Sequence, residues 1–264
     1  MMITLYQHEM KSYMKSLLIW FICVGGMGFA CILLFSGMQE SMENMAENFA
    51  SMGAFSDAFG MSRLSIATLT GFYATEVGTI HSLGGAMFAA IISTNMLSKE
   101  EDSHTSEFLF SLPLSKGKAV IAKWYAVLTH ILLFNLLCVA IYLSGIAISG
   151  EEIPMKEFFI YHVMQTFMQF EIAAICYALS AWMKKNKLGL GLGIVLLLYA
   201  FDLIARVIPD ISDYKMISPF SYANAAEILS SAELSFTALL IGSIVLLVSI
   251  CMAYTVYTRR DLST

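Results

Sequence analysis

Charge is scarce in this chain. Asp, Glu, Lys and Arg make up 13% of its 264 residues against 58% hydrophobic, whereas a soluble domain is about a quarter charged. So little polar chain cannot cover a soluble core, and a soluble globular class is excluded. Cysteine offers no framework either. Cys23, Cys31, Cys138, Cys176 and Cys251 form an odd set without a C-x-x-C, which argues against disulfides or a metal and for small buried hydrophobes. There is no G-x-x-x-x-G-K-[ST] phosphate loop. Lys116-Gly117-Lys118 lacks the preceding glycine and the following hydroxyl residue, so ATP chemistry is not expected on this chain. A secretory leader is not expected: the first apolar run exceeds the about 7–15 residues of an h-region, and no small-x-small cleavage site follows it. No internal repeat and no second, soluble domain is visible.

What the chain has is long apolar runs. A bilayer core of about 30 Å needs roughly 20 apolar helical residues. Ser16–Met38, Val77–Leu97, Trp124–Ser149, Phe158–Met183, Leu188–Ile208 and Leu234–Tyr257 meet that length. If the N-terminus is cytoplasmic, one side carries Lys11, Lys15, Lys99, Lys116, Lys118, Lys123, Lys184, Lys185, Lys187, Arg259 and Arg260. The other carries only Arg63, Lys156, Arg206 and Lys215. Basic residues concentrate on the cytoplasmic side of membrane proteins, so both termini and the 98–124 stretch are expected inside.

Residues 1–15 space Met2, Leu5, Tyr6, Met10, Tyr13 and Met14 among polar residues, which predicts an amphipathic helix lying on the inner surface. In the first outer segment, Met38, Met42, Met45, Phe49 and Met52 form a helical stripe beside Glu40, Glu43 and Glu47. Such a stripe suits packing on the membrane or on the spans; Met-rich surfaces also adapt to varied apolar ligands. The fourth run is the most polar. His162, Gln165 and Gln169 fall within about 60° on a helical wheel, and Glu171 projects from the opposite side. Polar groups at this depth face protein or water, so they either bond neighbouring helices or line a path. Asp202 and Arg206 stand four apart and are expected to neutralise each other. Gly189 and Gly193 form a G-x-x-x-G that permits close helix approach. His81 and His130 are expected to hydrogen-bond within the core. The last loop, from "IPDISDYKMISPF" onward, is expected to be an outer re-entrant or surface element.

Between the second and third runs lies "SKEEDSHTSEFLFSLPLSKGKAVIAKW". Ser98 and Glu101 have capping-box spacing, acids at 100, 101 and 102 suit a helix N-terminus, and Pro113 ends the element. Phe108, Leu109 and Leu112 form an apolar edge, and Ser115 can cap the helix that follows. These signals specify a short, rigid helix clamped between two spans.

This segment resembles the first cytoplasmic loop of ABC-2-type transporter permeases, through Glu101, Thr105, Glu107, Leu112, Pro113, Ser115, Lys116 and Lys123. His104 stands where the family usually has glycine. The ends, "YQHEMK" and "YTRRDLST", resemble the family's ends, and the likeness extends over the whole chain. It implies an all-α membrane protein: one domain, 1–264, of six transmembrane helices. The interfacial helix is 1–15, a cytoplasmic coupling helix lies within 98–118, and 39–72 and 209–233 are external. It also implies an exporter half in a bacterial plasma membrane, paired with a second permease chain as a homodimer. Two ATP-binding subunits would hold ATP and Mg and dock through Glu100, Glu101, Thr105, Glu107, Phe108, Leu109, Leu112 and Pro113. No catalytic residue, metal, cofactor or nucleic acid is expected on this chain. His162, Gln165, Gln169 and Glu171 are the candidates for the translocation path. Small homodimeric exporters of amphipathic peptides, the phenol-soluble modulin type, fit the Met-rich and aromatic spans.

Two other classes have some basis in the sequence. A stand-alone channel or secondary transporter would rest on Glu171 alone. A CAAX-type intramembrane protease would rest on Glu151-Glu152 and Phe158-x-x-x-His162, but Lys156 stands where arginine is required and Pro154 interrupts the first motif.

Overall fold

Each long apolar run becomes a helix, and no strand occurs among the described residues. The computed structural model describes residues 1–232 and 234–261. Residue 233, in the 209–233 segment, and residues 262–264 of the closing stretch lie outside the described residues.

The first helix, α1, runs from Met2 to Ala50. At 1.5 Å per residue it is about 74 Å long, more than twice a bilayer core. A π-helical turn at Phe21–Gly25 lies within it, without a break. This corrects the expected boundary at residue 15: residues 2–15 continue the helix that becomes the first span and are not a separate surface helix. The reason is a partner. The helix Lys116–Ser149 (α6 below) runs parallel to α1 and takes its apolar side. Leu5 packs with Ala119 and Ala122, Tyr6 Oη donates to Thr129 Oγ1 at 3.1 Å, and Tyr142 Oη donates to Val24 O at 3.3 Å. A Cβ on Gly28 would meet the Tyr142 ring at 2.5 Å, so glycine there permits the close approach. Toward its far end α1 emerges from the bundle, and Met38, Met45 and Met52 are exposed while Met42 packs against the core.

In chain order there follow α2 (Ala54–Phe59), α3 (Leu69–Thr94), α4 (Lys99–Asp102), α5 (Ser106–Ser111), α6 (Lys116–Ser149), α7 (Met155–Trp182), α8 (Leu188–Val207), α9 (Pro209–Ser212), α10 (Ala225–Ser231) and α11 (Phe236–Arg259). Helices α1, α3, α6, α8 and α11 are long and apolar enough to cross a membrane. The fourth run forms α7, which is too polar to join that set. It is the central helix, packed against α3, α6, α10 and α11, and its His162, Gln165, Gln169 and Glu171 are buried within the bundle. Its C-terminal end meets the start of the 98–113 segment, where Leu97 N donates to Ser180 Oγ at 2.8 Å. Its N-terminal end meets α3 at the opposite side of the bundle, through His162 and Tyr73. Among the described residues six long helices make up the bundle, and residues 1 and 261 lie at one end.

Large aromatic side chains fill the centre and bond across helices by their polar tips. Tyr161 Oη donates to Gly78 O at 3.0 Å, and Tyr177 Oη donates to Val120 O at 2.7 Å. Between apolar helices in lipid, such contacts and close packing replace the hydrophobic drive that holds soluble cores together. Gly189 and Gly193 have no neighbour within 4 Å, whereas a Cβ on Gly191 would meet Thr94 Oγ1 at 2.0 Å. Within this chain, then, the close approach is made at Gly191 and not by the G-x-x-x-G pair. Asp202 and Arg206 form the expected ion pair, and Arg206 also donates to Ala58 O at 3.1 Å. All five cysteines are free; Cys138 and Cys176 are buried, whereas Cys23 and Cys251 lie on the outside of the bundle.

Candidate functional site

The end that carries both termini is organised by buried charge. Lys123 of α6 is fully buried and donates to both Glu100 oxygens at 2.5 Å and to Met96 O at 2.6 Å. Glu9 of α1, also fully buried, pairs with Lys99 and lies 3.8 Å from Lys123. Arg260 pairs with Glu101 and donates to the carbonyls of Ala181 at 2.5 Å and Met183 at 3.2 Å. Lys116 closes the set by donating to Arg260 O at 2.7 Å. Burial pushes the Arg260 guanidinium below its usual pKa, but arginine stays protonated in proteins. Three acids and four bases thus join α1, α4, α6, the end of α7 and the residue after α11. Buried charges are tolerated only when paired in this way.

This network corrects the expectation for Glu100 and Glu101. Both are buried and spent on internal partners, so neither presents its carboxylate on the outer surface of the segment. The capping box also fails. Ser98 Oγ is buried without a hydrogen-bond partner, and no side chain caps α4, because Glu101 turns toward Arg260 instead of reaching back. The single rigid helix is in fact two short ones, α4 and α5, separated by a turn in which His104 has φ +53°.

That left-handed conformation is the one glycine adopts freely and other residues at a cost of about 1–2 kcal/mol. His104 therefore occupies a glycine-type turn without a glycine. His104→Gly is expected to stabilise the chain by up to about 1 kcal/mol after the added unfolded-state freedom is subtracted. His104→Val is expected to destabilise it, because a branched Cβ fits this region poorly. Thermal unfolding of the solubilised chain should rank the three as Gly above His above Val; equal midpoints would refute the strained turn.

The rest of the segment is as the spacing predicts. Leu112 is extended (ψ 152°) before Pro113, and the Ser115 hydroxyl caps α6 by accepting from Lys118 N at 3.4 Å. Thr105, Glu107, Phe108, Leu112 and Pro113 are exposed and Leu109 is half-buried. Phe108 is 74% exposed, an unusual state for a phenylalanine outside the spans. Phe108, Leu109 and Leu112 flank a cleft of about 390 Å³ whose other wall is Met1, Thr4, Leu5 and His8 of the N-terminus.

The polar residues of α7 turn inward. His162 Nε2 lies 2.8 Å from Tyr73 Oη. Gln169 accepts from Asn135 Nδ2 at 2.7 Å, and Asn135 Oδ1 lies 3.1 Å from His81 Nε2. Gln165 Nε2 donates to Ala223 O at 2.7 Å, in the stretch before α10 that folds back between the helices. On the opposite face Glu171 accepts from Tyr222 Oη at 2.5 Å. Gly242 of α11 leaves room for this carboxylate, since a Cβ there would sit 2.5 Å from Glu171 Oε2. The wheel geometry is therefore right, and each of the four residues joins α7 to another element. His130 bonds within the core as expected, with its ring nitrogens at 2.8 Å from Ala126 O and 3.2 Å from Met10 O.

Sequence reasoning assigns no site role to Glu9, Lys99 and Arg260, nor to Asn135, Tyr73 and Tyr222. A charged residue inside an apolar helical pattern, as at Glu9, was the available signal. No curated protein matches the chain closely enough to serve as a relative. The profile of the ABC-2 family transporter protein matches residues 3–262, nearly the whole length over which six long helices and the 98–113 segment are laid out. The chain belongs to the ABC-2 transporter family, whose members are the membrane components of ABC transporters rather than their ATP-hydrolysing subunits.

Proposed function

We propose that this chain is the permease half of an ATP-driven exporter. In this reading all six long helices cross a bacterial plasma membrane, with both termini and the 98–113 segment in the cytoplasm. Two copies pair, and two ATP-binding subunits dock on the cleft edged by Phe108, Leu109 and Leu112. The observation that carries the reading is this exposed apolar edge, set beside the N-terminal helix and tied through Lys123 and Glu100 to a spanning helix. A push on α5 reaches α6 and α1 through buried charge pairs and not through a flexible loop. The open Gly189/Gly193 face of α8 supports pairing of two copies, since small residues let helix backbones approach in membranes. An amphipathic substrate, a helical peptide of the phenol-soluble modulin type, suits the exposed Met38, Met45 and Met52 on the outer part of α1.

The test is co-expression with the ATP-binding subunit. The expected result is a stable complex of two permease and two ATPase chains, with no ATP turnover by the permease alone. Turnover by the isolated chain at the rate of the complex would overturn the reading.

Within this reading His162, Gln165, Gln169 and Glu171 serve the path as bonds that break when α7 separates from its neighbours. Gln165→Leu is the cleanest probe, because it frees only a loop carbonyl. The variant is expected to assemble normally and to change transport per assembled complex. Reduced yield with unchanged transport would make the residue a packing group only.

A further inference from the structure

Between α6 and α7 runs a groove of about 440 Å³, walled by Leu136, Val139, Phe159, Val163 and Phe167. Leu136 and Val163 are more than half exposed, so it opens sideways from the bundle. We propose that this groove binds one acyl chain of a bilayer lipid, held in fixed stoichiometry. The proposal rests on the reading that α6 and α7 cross the bilayer.

Length, bulk and polarity all point to that occupant. Along α7 the groove extends from Phe159 to Phe170, about 16 Å at 1.5 Å per residue. This is about half of a 30 Å hydrocarbon core, the span of one leaflet's chain. Centred on such a core, the 28 residues of α7 place Phe159 near one hydrocarbon boundary and Phe170 near the midplane. The volume lies within the about 300–1,000 Å³ of small-molecule sites. A neighbouring helix about 10–12 Å across would need small residues to approach, but the walls hold bulky aliphatic and aromatic side chains, with no glycine, alanine or serine. A thin flexible chain fits where a helix does not. The groove's polar content is confined to Asn135, His162 and Thr166. Asn135 and Thr166 are hydrogen-bonded within the bundle, whereas His162 Nδ1 has no partner. That nitrogen is itself buried, so the surface the groove presents to an occupant is apolar.

The experiment uses the full chain in digitonin micelles, whose rigid rings are wider than one alkyl chain. It is titrated with phosphatidylcholine carrying a photoreactive diazirine on one acyl chain, irradiated and mapped by peptide mass spectrometry. The expected result is saturable labelling of one lipid per chain, confined to 132–139 and 159–170. Val163→Trp and Leu136→Trp fill the groove from exposed positions and should each cut labelling at least tenfold. Leu197→Trp, at a residue 72% exposed on α8, should leave it unchanged. Size-exclusion profiles confirm that the variants are folded, and two independent groove variants guard against failure of one. Unsaturable labelling spread over exposed apolar residues would overturn the proposal, as would labelling indifferent to both groove variants. Chain-to-chain cross-links at Leu136 or Val163 would likewise overturn it by making this face an interface between copies. The readout does not involve the ATPase, so lipid labelling and permease assembly can fail separately.

Discussion

The Phe108→Ala/Leu112→Ala double mutant is expected to reach the membrane in normal amount and, if the proposed coupling holds, to purify without an ATP-binding subunit. Phe108 is 74% exposed in the chain, so truncating it removes little internal packing, whereas Leu112 is 36% exposed and its truncation should lower the unfolding midpoint modestly. On a partner's surface the balance reverses. Fully burying one such side chain is worth about 1.5–3 kcal/mol, and about 1.4 kcal/mol is tenfold in affinity. Losing both weakens docking by about two orders of magnitude or more, enough to lose a complex during purification and to abolish export. Glu100 lines the same cleft but is buried and held by Lys123, and Glu101 is buried against Arg260. Salt should therefore have little effect on these internal pairs, in contrast to an exposed pair. Retained ATPase binding with full transport in the double mutant would show that α5 is a surface helix without a coupling role.

Lys123→Met should be the most damaging single change at this end of the chain. It leaves Glu100 and Glu9 as buried carboxylates without the ammonium between them. Breaking a buried pair by removing one partner costs about 3–5 kcal/mol, whereas replacing both partners with apolar groups is often neutral. The variant is thus expected to lose most of its folded, detergent-stable population. Lys123→Met/Glu100→Met should recover it, because Glu9 keeps Lys99 as its partner. Lys118→Met, at an exposed position on the same helix, is the control and should be silent. Thermal unfolding of the three solubilised variants decides the matter. A Lys123→Met loss no larger than that of Lys118→Met, or a double mutant no better than the single, would remove the network from the account of how the segment is held.

The amino-acid sequence by itself determined the membrane class, the long helices and the limits of the 98–113 segment. These are set by composition, run length and local stop signals such as Pro113 and the Ser115 cap, which act within a few residues. It also placed His162, Gln165 and Gln169 on one face and Glu171 on the other, since helical periodicity needs no partner. Tertiary structure decided which neighbours these side chains meet. The spacing of residues 2–15 alone suits a surface helix; with α6 alongside, the same apolar face becomes part of a helix continuous to Ala50. Glu101 read as a capping residue because Ser98 is three positions away, but Arg260, 159 positions away in the chain, supplies a full positive charge where the cap offers one neutral hydrogen bond. A carboxylate leaving water gains more from an opposite charge than from a backbone amide. His104 is recognisable as a residue in a glycine's place, and its φ of +53° belongs to a local turn in which Thr105 N donates to Glu100 O at 2.8 Å and His104 N to Glu101 O at 3.2 Å. Local rules hold where the competing partner is close in sequence, and yield where folding brings a stronger one from far away.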